Sequence, residues 1–273
     1  MSTHLKHAGF TAFIIILVIA LFTTTSTLAD PPVRDLTYFL KNLCTLAHLP
    51  VLEDSHTAMA STWDRTGANN DGTDYKRIEN SRNILLETDG PSCIHRVFVG
   101  IVDEHHSRTR FQVFLDHKER PQIDLPITKL YDYENGPIPY PLVFCKSYPG
   151  LLLPIPFEKH VLICLTHPDA EKPEFDTFVW SNYWQLTYTK YQTSVKVKSL
   201  TRPLSKQEKQ QIKTTCDAWL RAESTPPQPP QSWAIEKTFS GFAPREMKRI
   251  THPGTGIIRQ IRLSVDPATT EIL

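Results

Sequence analysis

The sequence predicts a mainly β protein, an antiparallel sandwich or jelly roll with helices outside it, and three observations carry that prediction. Proline outnumbers glycine, 22 to 10, in a chain of 273 residues; that many prolines break long helices and suit strand edges and loops. Short apolar or alternating runs recur between residues 83 and 200, separated by turn-forming residues. The hydrophobic fraction of 40% and charged fraction of 22% are those of a globular chain and exclude wholesale disorder.

The first element is an address. Lys6 precedes an apolar run of about thirteen residues, Phe10 to Phe22, and then small residues up to Ala29. A basic start, a short apolar core and a small residue at the end describe a secretory signal peptide over residues 1–29. The run is shorter than the roughly twenty residues that a membrane-spanning helix needs. The expectation is a secreted or periplasmic chain that keeps no membrane partner after signal cleavage.

Residues 30–50 follow as an amphipathic helix. Val33, Leu36, Phe39, Leu40, Leu43, Leu46 and Ala47 have helical spacing, Pro31 and Pro32 sit at the start, and Pro50 ends it.

The sandwich is placed at residues 51–200. Strands are expected at 83–88, 93–101, 109–116, 142–144, 150–154 and 160–166, with a final pair at 178–191 and 193–200. Phe111, Val113 and Leu115 alternate with polar neighbours, the period-two mark of a half-buried strand. A helix and a proline-rich linker occupy 201–231: Ser205 and Glu208 form a capping box, Ile212, Cys216, Trp219 and Leu220 form an apolar stripe, and a polyproline segment follows. Residues 232–273 read as the first strands of a second jelly roll, which two strands cannot complete.

Charge and cysteines narrow the function classes. Lys plus Arg is 30 and Asp plus Glu is 29; without Lys6 the two balance. A neutral chain has no general attraction for nucleic acid, so no nucleic-acid partner is expected. Five cysteines, Cys44, Cys93, Cys145, Cys164 and Cys216, leave at least one unpaired and contain no C-x-x-C pair. Cys93, Cys145 and Cys164 fall in strand-like stretches and read as buried hydrophobes. One disulfide stays open, its partners unassigned.

The chemistry-bearing stretch is Ser61-Thr-Trp-Asp-Arg-Thr-Gly-Ala-Asn-Asn-Asp-Gly72. Asp64, Arg65, Asn69, Asn70 and Asp71 offer planar donors and acceptors, and Trp63 offers a flat face, a set that suits hydroxyl-rich sugars. Asp and Asn oxygens also suit calcium, and the same residues could instead cap their own turns. Neither a metal nor a cofactor is assigned. Asp103-Glu-His-His106 reads as a polar hairpin tip rather than a metal site, because adjacent strand residues point to opposite faces. His95 reads as a hydrogen-bonded strand residue, and Glu171, Glu174 and Asp176 as a solvated loop. Trp180, Tyr183, Trp184, Tyr188 and Tyr191 read as an aromatic strand of the kind that builds cores and interfaces. No G-x-S-x-G, Walker or Rossmann pattern occurs.

Residues 61–72 resemble the signature Ser-x-x-Asp-Arg-Thr-Gly-Gly-Asn-x-Asp-Gly of glycoside hydrolase family 172, also known as domain of unknown function 2961. The resemblance continues in Asp89-Gly-Pro-Ser-Cys-Ile-His-Arg96, Phe114-Leu-Asp116, Leu153-Pro-Ile-Pro-Phe157, Trp184-Gln-Leu-Thr-Tyr188 and Pro253-Gly-Thr-Gly-Ile-Ile258. It spans about residues 36–265. Ala68 and Ser92 stand where the family has glycine, and Lys118 stands near a third such position.

The resemblance implies two jelly rolls, retaining hydrolysis of arabinofuranosides or fructofuranosides, and assembly as a homotrimer or hexamer. Retention takes two carboxyl groups about 5 Å apart. In the family these are glutamates of the second jelly roll, in Trp-x-Gly-Glu-Gly-Asp and Gly-Thr-Glu-Asp-Tyr segments that do not occur here. No catalytic residue is therefore assigned, and the chain is expected to be truncated and inactive alone. The substrate-binding candidates are Trp63, Asp64, Arg65, Asn69, Asn70 and Asp71. The alternative is a non-catalytic carbohydrate-binding or assembly module.

Overall fold

A computed structural model describes residues 32–45, 53–69, 71–72, 75–145, 148–171, 182–224, 237–238 and 249–251. The expected signal peptide, the linker prolines and almost all of the expected second jelly roll lie outside the described residues.

Eleven strands are described: β1 Ser55–Ser61, β2 Arg77–Glu79, β3 Arg82–Asp89, β4 Ser92–Val99, β5 Arg110–Leu115, β6 Ile123–Pro126, β7 Val143–Phe144, β8 Gly150–Leu151, β9 Ile155–Phe157, β10 His160–Thr166 and β11 Trp184–Tyr191. Three α-helices join them: α1 Leu36–Asn42, α2 Ile127–Leu130 and α3 Lys206–Ser224. A six-stranded sheet runs β1-β11-β4-β8-β7, with β9 also on β4, and a five-stranded sheet runs β2-β3-β10-β5-β6. All the strand pairs are antiparallel. The protein is a mainly β sandwich of jelly-roll type.

Burial follows the alternation. In β5, Phe111, Val113 and Leu115 are buried while Arg110, Gln112 and Phe114 are only partly covered. Ile163 and Leu165 of β10, Val97 and Val99 of β4 and Leu186 of β11 complete the layer. Phe111 stacks on Trp184 across the two sheets, with ring centroids 5.6 Å apart and an interplanar angle of 17°. Apolar area removed from water in this layer is the main stabilising term of the fold.

Helix α3 begins as its residues require. Ser205 N–H donates to Glu208 Oε2 at 2.7 Å, and Glu208 N–H donates to Ser205 Oγ at 3.2 Å. These reciprocal bonds satisfy two donors left over at a helix start.

Three readings need correction. Residues 193–200 form no strand. Val197 makes a single parallel bridge to Arg34, and Leu200 N–H reaches Pro156 O. Both edges of β11 are already taken, by β1 and β4, so a following strand has no edge to join. That same bridge holds Arg34 extended, so α1 starts after it. Asp35 caps the helix, accepting from Tyr38 N–H at 2.9 Å, rather than the helix running from Val33. Residues 103–106 are not a hairpin tip: Glu104–Ser107 is a 3-10 turn that carries His106 into the interior.

The departures from the family pattern are accommodated. Ser92 is fully buried, and its Oγ donates to Thr189 O at 2.7 Å, so the extra side chain finds a partner. Gly67 has φ +78°, but Ala68 is not among the residues at positive φ and loses nothing by carrying a Cβ. At the end of β5 the left-handed conformation falls on Asp116 and His117, at φ 55° and 58°. The Asp116 carboxylate accepts from Lys159 N–H at 2.8 Å, which holds that turn without a glycine.

Candidate functional site

The stretch from Ser61 to Gly72 is a loop leaving the end of β1. It is anchored on β11 by Thr62, whose N–H donates to Trp184 O at 3.1 Å. Thr62 Oγ1 donates to Asn182 O at 2.9 Å and accepts from Trp184 N–H at 3.0 Å. Gly72 N–H closes the loop onto Thr62 O at 2.7 Å, and Asn182 N–H donates to Gly72 O at 3.1 Å. Gly72 has φ +96°, a conformation that favours glycine.

Inside the loop, aspartates hold the backbone. Asp64 is only 6% exposed, and its Oδ1 accepts from Thr66 N–H at 2.9 Å and from Thr66 Oγ1 at 2.6 Å. Asp71 Oδ1 accepts from Asp64 N–H at 2.6 Å. An ionised carboxylate bound to backbone N–H groups makes a stronger bond than a neutral acceptor does.

Trp63 and Arg65 face outward. Trp63 is 52% exposed, and the Arg65 guanidinium lies 5.5 Å from its ring centroid. Arg65 also donates to Ser61 O at 3.0 Å and Trp63 O at 3.3 Å, so the cation is oriented by its own loop. Asn69 is exposed, and Asn70 lies outside the described residues.

Asn182 supports the loop from below and has no signal in the sequence. Its Oδ1 accepts from Tyr183 N–H at 2.9 Å and Ile101 N–H at 3.1 Å, and its Nδ2 donates to Ile101 O at 2.7 Å. The same Nδ2 approaches His106 Nε2 at 3.2 Å, while His106 Nδ1 lies 2.7 Å from Asp103 Oδ1. An amide N–H can only donate, so His106 Nε2 is the acceptor for Asn182, while His106 Nδ1 faces both the Asp103 carboxylate and, at 3.4 Å, the Asp103 N–H. Among the described residues no group of three or more His, Cys, Asp or Glu could hold a metal.

Beside the loop lies Tyr183, also 52% exposed. Tyr183 N–H and O sit in line with β11, and its side chain covers Gly100, where an added Cβ would meet Tyr183 Cδ2 at 2.7 Å. The β1–β11 register ends at Ser61 and Gln185, and the loop carrying Trp63 and the segment carrying Tyr183 both continue from that end of the sheet.

Two clefts contain none of the loop residues. One, of about 390 Å³, is lined by Ser107, Arg108, Arg110, Pro126, Thr166 and His167. Its arginines are paired, Arg108 with Asp169 and Arg110 with Asp124. The other, about 160 Å³, lies between α1 and the outer face of the six-stranded sheet. His95 lines it and meets Phe39 edge-on, with centroids 5.9 Å apart. Burial pushes the His95 pKa down.

Comparison with known proteins identifies the domain. Residues 53–208 match the family model described as the GH172 first beta-sandwich domain. The chain belongs to glycoside hydrolase family 172. The match takes in the loop, all eleven strands and the first turn of α3. No curated protein matches the chain. Membership supports a glycoside hydrolase-related function for this GH172 chain.

Proposed function

We propose that this GH172 chain serves the hydrolysis of furanosides, with arabinofuranose or fructofuranose as the sugar, and that the loop between Ser61 and Gly72 recognises that sugar. The observation that carries the reading is the exposed Trp63 on a loop whose backbone is fixed by two aspartates. A flat aromatic face held rigid stacks on a sugar ring at little entropic cost. Arg65, Asn69 and Asn70 then bind ring hydroxyls, while Asp64 and Asp71 set the loop shape that presents them.

The two carboxyl groups of a retaining mechanism are assigned to no residue of the described sandwich. In this proposal they are supplied from outside the matched domain, by another domain or subunit of a homotrimer or hexamer, and the chain works in an exported, secreted or periplasmic setting. The second reading is a non-catalytic carbohydrate-binding module, favoured by the exposure of both Trp63 and Tyr183.

The test is turnover of 4-nitrophenyl arabinofuranosides and fructose disaccharides by the purified chain, with sugar affinity measured in parallel by calorimetry. Turnover supports the enzyme reading and requires a carboxylate pair. Affinity without turnover, lost in Trp63→Ala, supports the binding module. Absence of both removes the furanoside proposal for this chain.

A further inference from the structure

The fold sorts the five cysteines. Cys93 and Cys164 are buried within β4 and β10, and Cys145 is half-buried just after β7. Cys44 and Cys216 differ, because both lie where α1 packs on α3. The Leu40 carbonyl receives Cys44 Sγ at 3.6 Å and Thr215 Oγ1 at 3.2 Å. The Cys44 sulfur and the residue preceding Cys216 therefore meet on one oxygen atom, and can be no further apart than those two bonds laid end to end. One turn along α3, Trp219 Nε1 donates to Leu43 O at 2.9 Å. Ile212, Thr215 and Cys216 are the buried residues of α3; Thr215 and Trp219 make the contacts to α1, and the Cys216 thiol beside them meets the Leu142 backbone while staying close enough to Cys44 to interact with it electrostatically. Cys44 is exposed, Cys216 is buried, and both are free thiols in the structure.

We propose that Cys44 and Cys216 are the disulfide pair of this protein, closing under oxidising conditions to clamp α1 onto α3. The oxidant is a disulfide, either a small molecule or a protein thiol oxidase. The exposed Cys44 thiolate attacks one sulfur of that disulfide and releases the other as a thiol, leaving a mixed disulfide. Cys216 loses its proton to solvent, and its sulfur attacks the Cys44 sulfur. The S–S bond between the two residues forms, and the second oxidant sulfur leaves as a thiol. The chain loses two hydrogens, and the oxidant is reduced to two thiols.

The order of attack follows from the environments. Burial pushes the Cys216 thiol pKa up, partly offset by a hydrogen bond from the Leu142 backbone, with Asp217 and then Cys44 adding smaller raising effects. Cys216 is thus a poor first nucleophile and is reached only from within, by a partner already activated. The bridge would join segments far apart in sequence, the kind of closure that restrains the unfolded chain most. The remaining three thiols stay single, consistent with the odd count.

The experiment treats the full chain with oxidised glutathione or with dithiothreitol at neutral pH, followed by thiol titration, non-reducing peptide mapping and thermal melting. The expected result is a fall from five thiols to three, a peptide pair joining Cys44 to Cys216, and a melting temperature higher by roughly 5–10 °C in the oxidised form. Cys44→Ser, at an exposed position, should abolish the link and the shift while leaving the reduced melting temperature in place. Cys216→Ala should lose the link in the same way even if its core packing costs some stability. Five thiols retained under glutathione, a glutathione adduct persisting on Cys44, or a linked pair that includes Cys93, Cys145 or Cys164 would each overturn the assignment. None of these readouts depends on the sugar or on export.

Discussion

The five-stranded sheet shows charge on its outer side. Arg77 pairs with Glu79 and Glu87, Arg110 with Asp124, and His160 approaches Glu87, while the Arg82 guanidinium covers Phe114. The six-stranded sheet is different. One end of its outer face is covered by α1, where Phe39 stacks on Tyr191 and Arg34 lies 4.7 Å over the same tyrosine. At the other end Met59, Trp63, Tyr148 and Tyr183 are exposed, and Arg96 bridges Phe98 and Gln185. Two layers with equally apolar inner faces thus present unlike surfaces. Paired charges on a sheet are well solvated and contribute little individually. Clustered exposed aromatics are costly in water and mark a contact surface. The exposed aromatics lie on the sheet that also carries the signature loop, which is where the proposed sugar site would be.

The largest effect tests what the two layers share. Trp184→Ala removes the ring that stacks on Phe111 and should cost about 3–5 kcal/mol, seen as a lower denaturation midpoint. Both faces should be lost together. A variant that unfolds only one sheet would mean that the layers are independent.

Within the signature loop the roles separate. Asp64→Ala removes two accepted hydrogen bonds on a buried carboxylate and should cost about 2 kcal/mol, with sugar affinity falling too. Trp63→Ala should leave the melting temperature unchanged and weaken sugar binding by about tenfold. If the two variants behave alike, Trp63 is part of the loop's own packing and the recognition surface lies elsewhere.

A third difference is in acid sensitivity under α1. Burial lowers the His95 pKa, so the folded state disfavours the imidazolium. Its contribution to stability is complete above the unfolded value of about 6.5 and is lost as pH falls through the lower folded value. Arg34, Glu53 and Tyr191 line the same cleft. His95→Gln should flatten the pH dependence of the melting temperature over that window. An unchanged slope would show that another group carries it.

How much of this was legible depended on burial geometry. β5 and β10 are central strands of their sheet, so their patterns carry the core directly, and Phe111, Val113 and Leu115 marked it in the sequence. β1, Ser-His-Thr-Ala-Met-Ala-Ser, pairs on one side only and leaves most of its side chains exposed, so no apolar alternation announces it. β2 is an edge strand of three residues and was equally silent. The stretch 193–200 had strand composition and no free edge, a fact that only the sheet order contains. In the site, composition singled out residues 61–72. The supports at Asn182 and His106 come from distant segments; His106 stood out only as part of a polar stretch, and nothing local marks Asn182.

The smallest effect concerns the charged face. Glu87 is held below the usual carboxylate range, chiefly by its hydrogen bond from Arg77; burial opposes this, and the charges of Arg77, His160 and Lys76 add smaller lowering effects. A depressed folded pKa gives stability that is present above the unfolded glutamate value, about 4.3, and is lost as pH drops through the folded value. Arg77→Ala should therefore remove about 0.5 kcal/mol at neutral pH, less in high salt, and should shrink the acid-induced loss. Sugar affinity should not change, because the substitution lies on the opposite sheet from Trp63. A drop in affinity for Arg77→Ala equal to that of Trp63→Ala would erase the distinction between the two faces.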